Sequence, residues 1–179
     1  METGAKIILV DDSQQDLRIH ASTLEQHGYR VATADSAERA MLHAESEAPD
    51  LFLIASDMED VDGHDLCGRL KEDPRFVNTP VIFITRSSSA REIDRAFAAG
   101  GVDYIRKPCH LSEFLARVRT HIRLFRLLRE VEGLREAAAD SCEQGFKKRF
   151  TGNRIASAAG RFQSVDLPLG RRNHQSAVR

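Results

Sequence analysis

Charged and hydroxyl side chains follow the short apolar runs of this sequence, where the strands of a sheet would end. Asp11 and Asp12 follow the first run. Thr85 ends the fourth run, and Lys107 comes shortly after the fifth. Paired carboxylates suit a hard cation such as Mg²⁺, which prefers oxygen ligands, whereas a lysine and a hydroxyl suit phosphoryl oxygens. If these side chains converge, they form a site for a divalent cation and a phosphoryl group.

Five short apolar runs alternate with stretches of helical periodicity over residues 1–110. The runs are rich in β-branched residues and fit strands, and the helical stretches begin after Ser13, Ser36 and Ser89, which can cap them. This alternation predicts a doubly wound α/β fold with a parallel sheet. The functional crevice of such a sheet lies beyond the carboxyl ends of its strands, so the residues named above would meet there. The predicted strands cover 7–10, 29–33, 51–55, 81–85 and 102–105.

Each candidate residue also has a purely structural interpretation. Asp11 and Asp12 could cap the following helix, where the helix dipole favours negative charge. Lys107 could pair with Asp11 or Asp12 and simply neutralise them. Tyr104 could be a half-buried tyrosine of an edge strand. The set is more specific than any member, because its members occupy matching positions of a five-unit chain.

The sequence from Lys6 to His121 resembles the receiver domains of bacterial two-component response regulators. The resemblance implies a five-stranded sheet of flavodoxin-like or CheY-like topology, in the order 2-1-3-4-5, surrounded by helices. It also implies transfer of a phosphoryl group from a sensor kinase histidine to an aspartate at the end of the third strand. The matching segments are 8–12 (ILVDD), 49–51 (PDL), 62–63 (DG), 80–85 (PVIFIT) and 101–108 (GVDYIRKP).

The resemblance assigns roles to individual residues. Asp11 and Asp12 match the acidic pair that holds Mg²⁺ in the family. Thr85 and Lys107 match the residues that bind the phosphoryl group, and Tyr104 matches the aromatic residue that reports its presence. The family also has a cis peptide bond at the position of Lys107-Pro108.

The phosphoryl-acceptor position departs from the family. The acceptor lies eight residues before the glycine of the Asp-Gly turn, and that count from Gly63 gives Ala55. A methyl group cannot accept a phosphoryl group. The nearest carboxylate, Asp57, could serve as a shifted acceptor only if the third strand extended past Ala55. Ala55 fits either a natural pseudo-receiver or an engineered variant that cannot be phosphorylated.

The sequence therefore predicts an atypical receiver, not an enzyme, that acts by phosphorylation-independent protein–protein interaction or dimerisation. The alternative is a phosphorylatable regulator that uses Asp57 with Mg²⁺. We expect the metal site of Asp11, Asp12 and Asp57 to be weak or vestigial, with Mg²⁺ as a possible cofactor. The expected partners are a sensor kinase, a phosphotransfer protein or an output protein, and a second copy of the chain.

The chain is predicted to have three parts: a receiver at 1–121, a helical extension at 122–141 and a basic, disordered tail at 142–179. Five residues of the extension fall at the a and d positions of a short coiled coil. They are Leu124, Leu127, Val131, Leu134 and Ala138. The alternative is a helix that packs back on its own receiver. The tail has few large apolar residues and cannot offset its ordering entropy.

Charge and composition exclude several functions. The 26 basic and 27 acidic residues give a net charge of -1, but eight basic residues and one acidic residue lie within 145–179. This +7 tail could contact nucleic acid, although no helix-turn-helix pattern supports that role and we expect none. The absence of a long apolar stretch argues against a membrane span or a secretion signal. Three scattered cysteines indicate a reducing, cytoplasmic location.

Overall fold

A computed structural model describes residues 4–58, 62–87 and 89–151 of the chain. Within them, five strands alternate with five helices. The elements are β1 (Lys6–Val10), α1 (Gln14–Gln26), β2 (Arg30–Ala34), α2 (Ala37–Ser46), β3 (Leu51–Ala55), α3 (Gly63–Glu72), β4 (Val81–Thr85), α4 (Ala90–Ala98), β5 (Asp103–Arg106) and α5 (Leu111–Thr151).

The five strands form one parallel sheet in the order β2-β1-β3-β4-β5. Every residue of β1, β3 and β4 is buried, because helices cover both faces of these central strands. The edge strands β2 and β5 are partly exposed and carry more polar residues. The predicted fold class, strand order and alternation are confirmed.

Alternation along the central strands divides the core into two layers, one on each face of the sheet. One layer packs against α1 and the first part of α5, and the other packs against α2, α3 and α4. The first layer includes Ile7, Leu9, Leu51, Leu53, Ile82, Ile84, Phe114, Val118 and Ile122. The second includes Ile8, Val10, Phe52, Ile54, Val81, Phe83, Leu66, Leu70 and Ala96.

The helix boundaries follow the predicted caps. The side chains of Ser13, Ser36 and Ser89 each accept a hydrogen bond from a backbone N–H in the first turn of the following helix. Gly28, just after α1, has a φ of 86°, a conformation that glycine adopts without strain.

The observed edge strands β2 and β5 each begin and end one residue after the predicted bounds. Polar residues in these edge strands blur the apolar run that marks a buried strand.

Helix α5 is longer than predicted. It continues to Thr151 and so extends past residue 141, where the predicted helical extension ends. The rest of the predicted tail, 152–179, lies outside the described residues. The chain divides into a compact unit at 1–137 and a second unit at 138–179. No helix in the described ranges is long and apolar enough to cross a membrane.

Candidate functional site

The predicted site residues lie at one edge of the sheet, where the carboxyl ends of the strands meet. Asp11 follows β1, Ala55 ends β3, Thr85 ends β4 and Lys107 follows β5. The first three residues are 2%, 3% and 5% exposed. The parallel topology brings these side chains together because each follows, or ends, a strand that runs in the same direction.

Ala55 occupies the centre of this edge. Its backbone pairs in register with Ile84 of the neighbouring strand, and the Ser56 N–H donates to the Ile84 carbonyl at 3.0 Å. The first residue of α3, Gly63, lies so close that a Cβ atom there would stand 2.1 Å from the Ala55 carbonyl oxygen. The Asp-Gly turn therefore packs directly on the end of β3, and a glycine is required at this close approach.

The ammonium group of Lys107 bridges two carboxylates. Its Nζ atom lies 2.7 Å from Asp11 Oδ2 and 2.7 Å from Asp16 Oδ2. The three side chains are largely buried, with 15%, 3% and 21% of their surface exposed for Lys107, Asp11 and Asp16. Lys107 pairs with Asp11, as one sequence interpretation expected, and also with a carboxylate from α1 that the sequence interpretation did not include.

Asp16 lies at the centre of a small charged cluster. Arg86 contacts the same carboxylate oxygen as Lys107, Asp16 Oδ2, at 3.2 Å. The hydrogen bond from Lys107 lowers the pKa of Asp16 despite the opposing effect of burial, and the Lys107 and Arg86 charges act in the same direction. A cleft of about 480 Å³ opens beside the cluster. Its lining consists of Asp16, His20, Arg86, Lys107, Pro108 and Cys109.

The two other predicted acidic residues lie at the surface. Asp12 is exposed, and Asp57 is exposed in the loop after β3. The Asp57 carboxylate accepts a hydrogen bond from the Ser56 hydroxyl at 2.7 Å. Strand β3 ends at Ala55, whereas a shifted acceptor would need it to extend further.

Among the described residues, the predicted ligands Asp11, Asp12 and Asp57 do not form a site for a divalent cation. Asp11, the buried member of the acidic pair, is neutralised by the Lys107 ammonium. Across the described residues, no group of three or more His, Cys, Asp or Glu side chains is arranged to hold a metal ion. Of the three predicted ligands, Asp11 is buried beside the Lys107 ammonium, whereas Asp12 and Asp57 are exposed.

Thr85 and Tyr104 lie on neighbouring strands, with little space between them. The Thr85 hydroxyl accepts a hydrogen bond from the Ser87 N–H at 3.0 Å. Tyr104 is half-buried, and its ring packs edge-on against Phe97 of α4, with centroids 6.2 Å apart. The void that both residues line is only about 10 Å³, which holds at most one water molecule.

A buried histidine fills part of the space beside this void. The His64 ring stacks on Phe83 with centroids 4.8 Å apart, and its Nδ1 atom lies 2.6 Å from Asp62. Asp62 also pairs with Arg95 of α4. Burial opposes ionisation of Asp62, but hydrogen bonds from His64 and Arg95 together lower its pKa. These contacts tie the start of α3 to α4.

Sequence reasoning missed Asp16, His64 and Arg95. Asp16 lies three residues after the cap Ser13, which is the spacing of an acidic residue in the first turn of a helix. This structural role accounts for Asp16 in the sequence, so the pattern gives no reason to place it at the site. His64 follows the Asp-Gly turn and resembles an ordinary residue of a first helical turn. The Arg95–Asp62 pair joins residues 33 positions apart, and no local pattern predicts it.

Comparison with known proteins identifies the same family that the sequence resembles. Residues 7–119 match the family described as response regulator receiver domain. The chain is 31% identical over 118 residues to the nisin biosynthesis regulatory protein NisR of Lactococcus lactis, covering 66% of this chain and 50% of that protein. It is 30% identical over 162 residues to response regulator PleD of Caulobacter vibrioides, covering 90% of this chain and 33% of that protein. The chain thus spans half or less of these two relatives.

Solved structures with the same fold cover the receiver region. A putative response regulator from Chloroflexus aurantiacus superposes with a TM-score of 0.65 at 26% identity, covering 68% of this chain and 99% of that one. NtrX from Brucella abortus gives a TM-score of 0.68 at 25% identity, covering 74% of this chain and 30% of that one. The family match, the strand order and the residues at the carboxyl edge agree: this chain belongs to the response regulator receiver domain family.

Proposed function

We propose that this chain is a pseudo-receiver of a two-component pathway, which works in the cytoplasm through phosphorylation-independent contact with protein partners. The observation that carries the proposal is Ala55, the last residue of β3, at the position where the family has its acceptor aspartate. A methyl group has no oxygen to attack phosphorus or to ligate a metal. The proposal assigns no enzymatic activity to the chain.

The contacts of Lys107 support the same proposal. In the family the matching lysine is available to a phosphoryl group, but here it bridges Asp11 and Asp16 at 2.7 Å each. A new anion would have to displace one of these carboxylates. The site therefore carries its own fixed charges in place of those that phosphorylation would bring.

The packing around Tyr104 also favours a fixed state. Tyr104 packs on Phe97, and the void between Tyr104 and Thr85 is too small for a phenol ring. An inward movement of the ring would require displacement of neighbours such as His64 or Ile93. Such a receiver would present one surface to its partners rather than switch between two.

The surface made by α4, β5 and α5 is the proposed contact face for a sensor kinase, phosphotransfer protein or output protein. Phe97 on α4 and Leu111 on α5 are 47% and 54% exposed, so apolar contacts are available there. Asp103 of β5 binds Arg117 of α5 at 2.8 Å, which fixes the charged part of the face. This combination of apolar residues and fixed charges suits a protein partner.

The test is incubation with acetyl phosphate and Mg²⁺, followed by intact-mass measurement. We expect no added phosphate on the unsubstituted chain. Uptake of one phosphate that is lost in Asp57→Asn would contradict the proposal and establish Asp57 as a shifted acceptor. The matched control is Ala55→Asp, which restores a carboxylate at the end of β3. Phosphate uptake by this variant would show that the assay detects a competent receiver of this chain.

A further inference from the structure

We propose that Asp62, His64, Glu92 and Arg95 form a proton-operated latch between α3 and α4, which tightens when the His64 ring takes up a second proton and binds Glu92. The inference rests on the proposed function, because α4 belongs to the proposed contact face and the latch regulates how firmly that helix is held. It concerns protonation of a histidine and not phosphorylation, so each proposal can be tested independently.

The four groups of the latch already form an open chain of contacts. His64 Nδ1 lies 2.6 Å from one carboxylate oxygen of Asp62, and the other oxygen of Asp62 pairs with Arg95 of α4. Arg95 in turn lies 3.2 Å from a carboxylate oxygen of Glu92. The chain therefore runs from His64 through Asp62 and Arg95 to Glu92. A hydrogen bond between His64 and Glu92 would close it into a ring.

The carboxylate of Asp62 decides which nitrogen of the neutral His64 ring carries the proton. Burial opposes ionisation of Asp62, but hydrogen bonds from His64 and Arg95 outweigh that effect and lower the pKa of Asp62. An ionised carboxylate can only accept hydrogen bonds, so the neutral ring donates from Nδ1. The Nε2 atom of His64 is then a bare lone pair.

This Nε2 atom is sealed inside the protein. The His64 side chain is 6% exposed, and Nε2 is buried with no hydrogen-bond partner among the described residues. Stacking on Phe83 fixes the plane of the ring. Most buried polar atoms in folded proteins are paired, so an unpaired ring nitrogen calls for an explanation. A lone pair at this place can bind a proton.

Glu92 lines the same interior space as the His64 ring. The void of about 10 Å³ beside His64 is also lined by the hydroxyl-bearing residues Ser56, Thr85 and Tyr104. While Nε2 is unprotonated, it and the Glu92 carboxylate are both acceptors, and no hydrogen bond can form between them. A proton taken from an acid in the solvent turns Nε2 into a donor and makes the ring positive. Glu92 can then accept a charge-assisted hydrogen bond from it.

The other charged groups around His64 are less suited to this role. On its outer side the ring borders a groove that is lined by Asp65, Arg69 and Glu72 of α3. These three side chains are exposed, so water and salt screen their charges. Arg95 opposes a positive ring, but its charge is shared between two carboxylates. Of the described acidic residues that line either space, Glu92 is the one that lines the interior void.

Closing the ring of contacts changes how α4 is held. Glu92 lies in the first turn of α4, and Arg95 follows it by three residues. Without the second proton, the latch holds α4 through Arg95 alone, whereas the protonated ring also holds Glu92. Helix α4 carries Phe97, an exposed residue of the proposed contact face. Acidification therefore makes this part of the face more rigid.

The first measurement locates the protons on the His64 ring of the full chain by nuclear magnetic resonance of nitrogen-15 labelled histidine. Sequential assignment separates the His64 signals from those of the other histidines. We expect a proton on Nδ1 alone at about pH 8 and on both nitrogens at about pH 5.5, within the range where histidines commonly titrate. A neutral ring with its proton on Nε2, or a ring that stays neutral at the lower pH, would overturn the proposal.

The second measurement is hydrogen exchange of the α4 amides, expressed as protection relative to the unfolded chain. This ratio removes the intrinsic pH dependence of exchange. We expect protection of α4 to rise about threefold from about pH 8 to about pH 5.5, which is the effect of one added, partly exposed ion pair. Helix α2 contributes no residue to the latch, so its protection should not change and gives the internal control.

Two variants test which residues carry the effect. His64→Leu removes the proton-binding nitrogen, and Glu92→Gln removes the charge of a side chain that is 31% exposed. Each should abolish the rise in α4 protection. The matched control is His121→Gln, because His121 lies 3.2 Å from Asp103 in another histidine–carboxylate pair. The rise should persist in this control.

Two results of the exchange experiment would contradict the latch. One is α4 protection that does not change with pH in the unsubstituted chain. The other is a rise that persists in Glu92→Gln or disappears in His121→Gln. If His64→Leu does not fold, the Glu92→Gln variant and the ring spectra decide the outcome. Phosphate uptake in the acetyl phosphate assay would instead contradict the pseudo-receiver function and leave the proton effect unaffected, so the two proposals can fail separately.

Discussion

Lys107 Nζ lies 2.7 Å from a carboxylate oxygen of Asp16, a residue of the first turn of α1. The same nitrogen lies 2.7 Å from Asp11. This lysine, which the family resemblance assigns to the phosphoryl group, is therefore held by two carboxylates of its own chain. The arrangement joins α1 to the loop after β5 and neutralises the buried Asp11.

Replacing Asp16 should make the protein less stable at neutral pH and less sensitive to acid. The hydrogen bond from Lys107 lowers the pKa of Asp16 in the folded protein. The ionised carboxylate therefore stabilises the folded state at pH values above the pKa of Asp16 in the unfolded chain. This stabilisation is lost as the pH falls through the lower pKa of the folded state. We expect Asp16→Asn to cost about 1 kcal/mol at pH 7. The difference in free energy of unfolding between Asp16→Asn and the unsubstituted chain should shrink below about pH 4. Urea unfolding at a series of pH values measures both effects.

A control for this experiment is available on the exposed surface of α5. Glu113 pairs with Arg117 there, and Glu113→Gln should change stability very little. If Asp16→Asn behaves like Glu113→Gln at every pH, the Lys107–Asp16 pair does not stabilise the receiver.

Removing the lysine charge should expose the acidic site to metal. Lys107→Met leaves Asp11 buried without the Lys107 ammonium, although the Ser13 N–H still donates to its carboxylate at 2.9 Å. We expect a loss of about 2 kcal/mol, because a buried carboxylate loses its counter-ion. Mg²⁺ at millimolar concentration should then raise the melting temperature of this variant through binding to the folded state. The unsubstituted chain should show little heat by calorimetry and little thermal shift.

The conservative variant Lys107→Arg separates charge from shape in that experiment. It keeps a cation beside Asp11 and should gain no response to Mg²⁺. Strong Mg²⁺ binding by the unsubstituted chain would mean that the Lys107 pair opens readily, and that the acidic pair still works as a metal site.

A methyl group at Gly63 should destabilise the receiver from within the site. The new Cβ atom would stand 2.1 Å from the Ala55 carbonyl oxygen, which is backbone and cannot rotate away. We expect Gly63→Ala to cost about 1–3 kcal/mol, as overpacking of a close contact does. Gly68, in the same helix, would have nothing within 4 Å of an added methyl group and gives the matched control. Gly68→Ala should be neutral or slightly stabilising, and denaturant midpoints compare the two.

The glycine in α5 should behave in the opposite way from Gly63. A Cβ atom at Gly133 would meet nothing within 4 Å, and glycine lowers helix stability by about 1 kcal/mol relative to alanine. Gly133→Ala should therefore raise helicity, measured by circular dichroism. A decrease in helicity would argue that the backbone at Gly133 must bend.

The sequence alone determined the fold and the edge of the sheet at which the site lies. Short apolar runs that alternate with helical stretches fit buried parallel strands, and serine caps mark the helices between them. The positions of Asp11, Ala55, Thr85 and Lys107 therefore followed from connectivity. The chemical character of Ala55 also required no structure, because a methyl group has no reactive atom. The least certain strand limits were those of the two edge strands, whose polar residues interrupt the pattern.

The tertiary structure decided which groups actually meet. The pairing of Lys107 with Asp16 joins residues 91 positions apart, and their side chains meet only because α1 and the loop after β5 converge at one edge of the sheet. The exposed side of α5 was likewise undetermined, because a heptad pattern does not reveal whether the receiver covers it. Long-range packing sets both outcomes, since the energy of a contact depends on which surfaces the folded chain brings together.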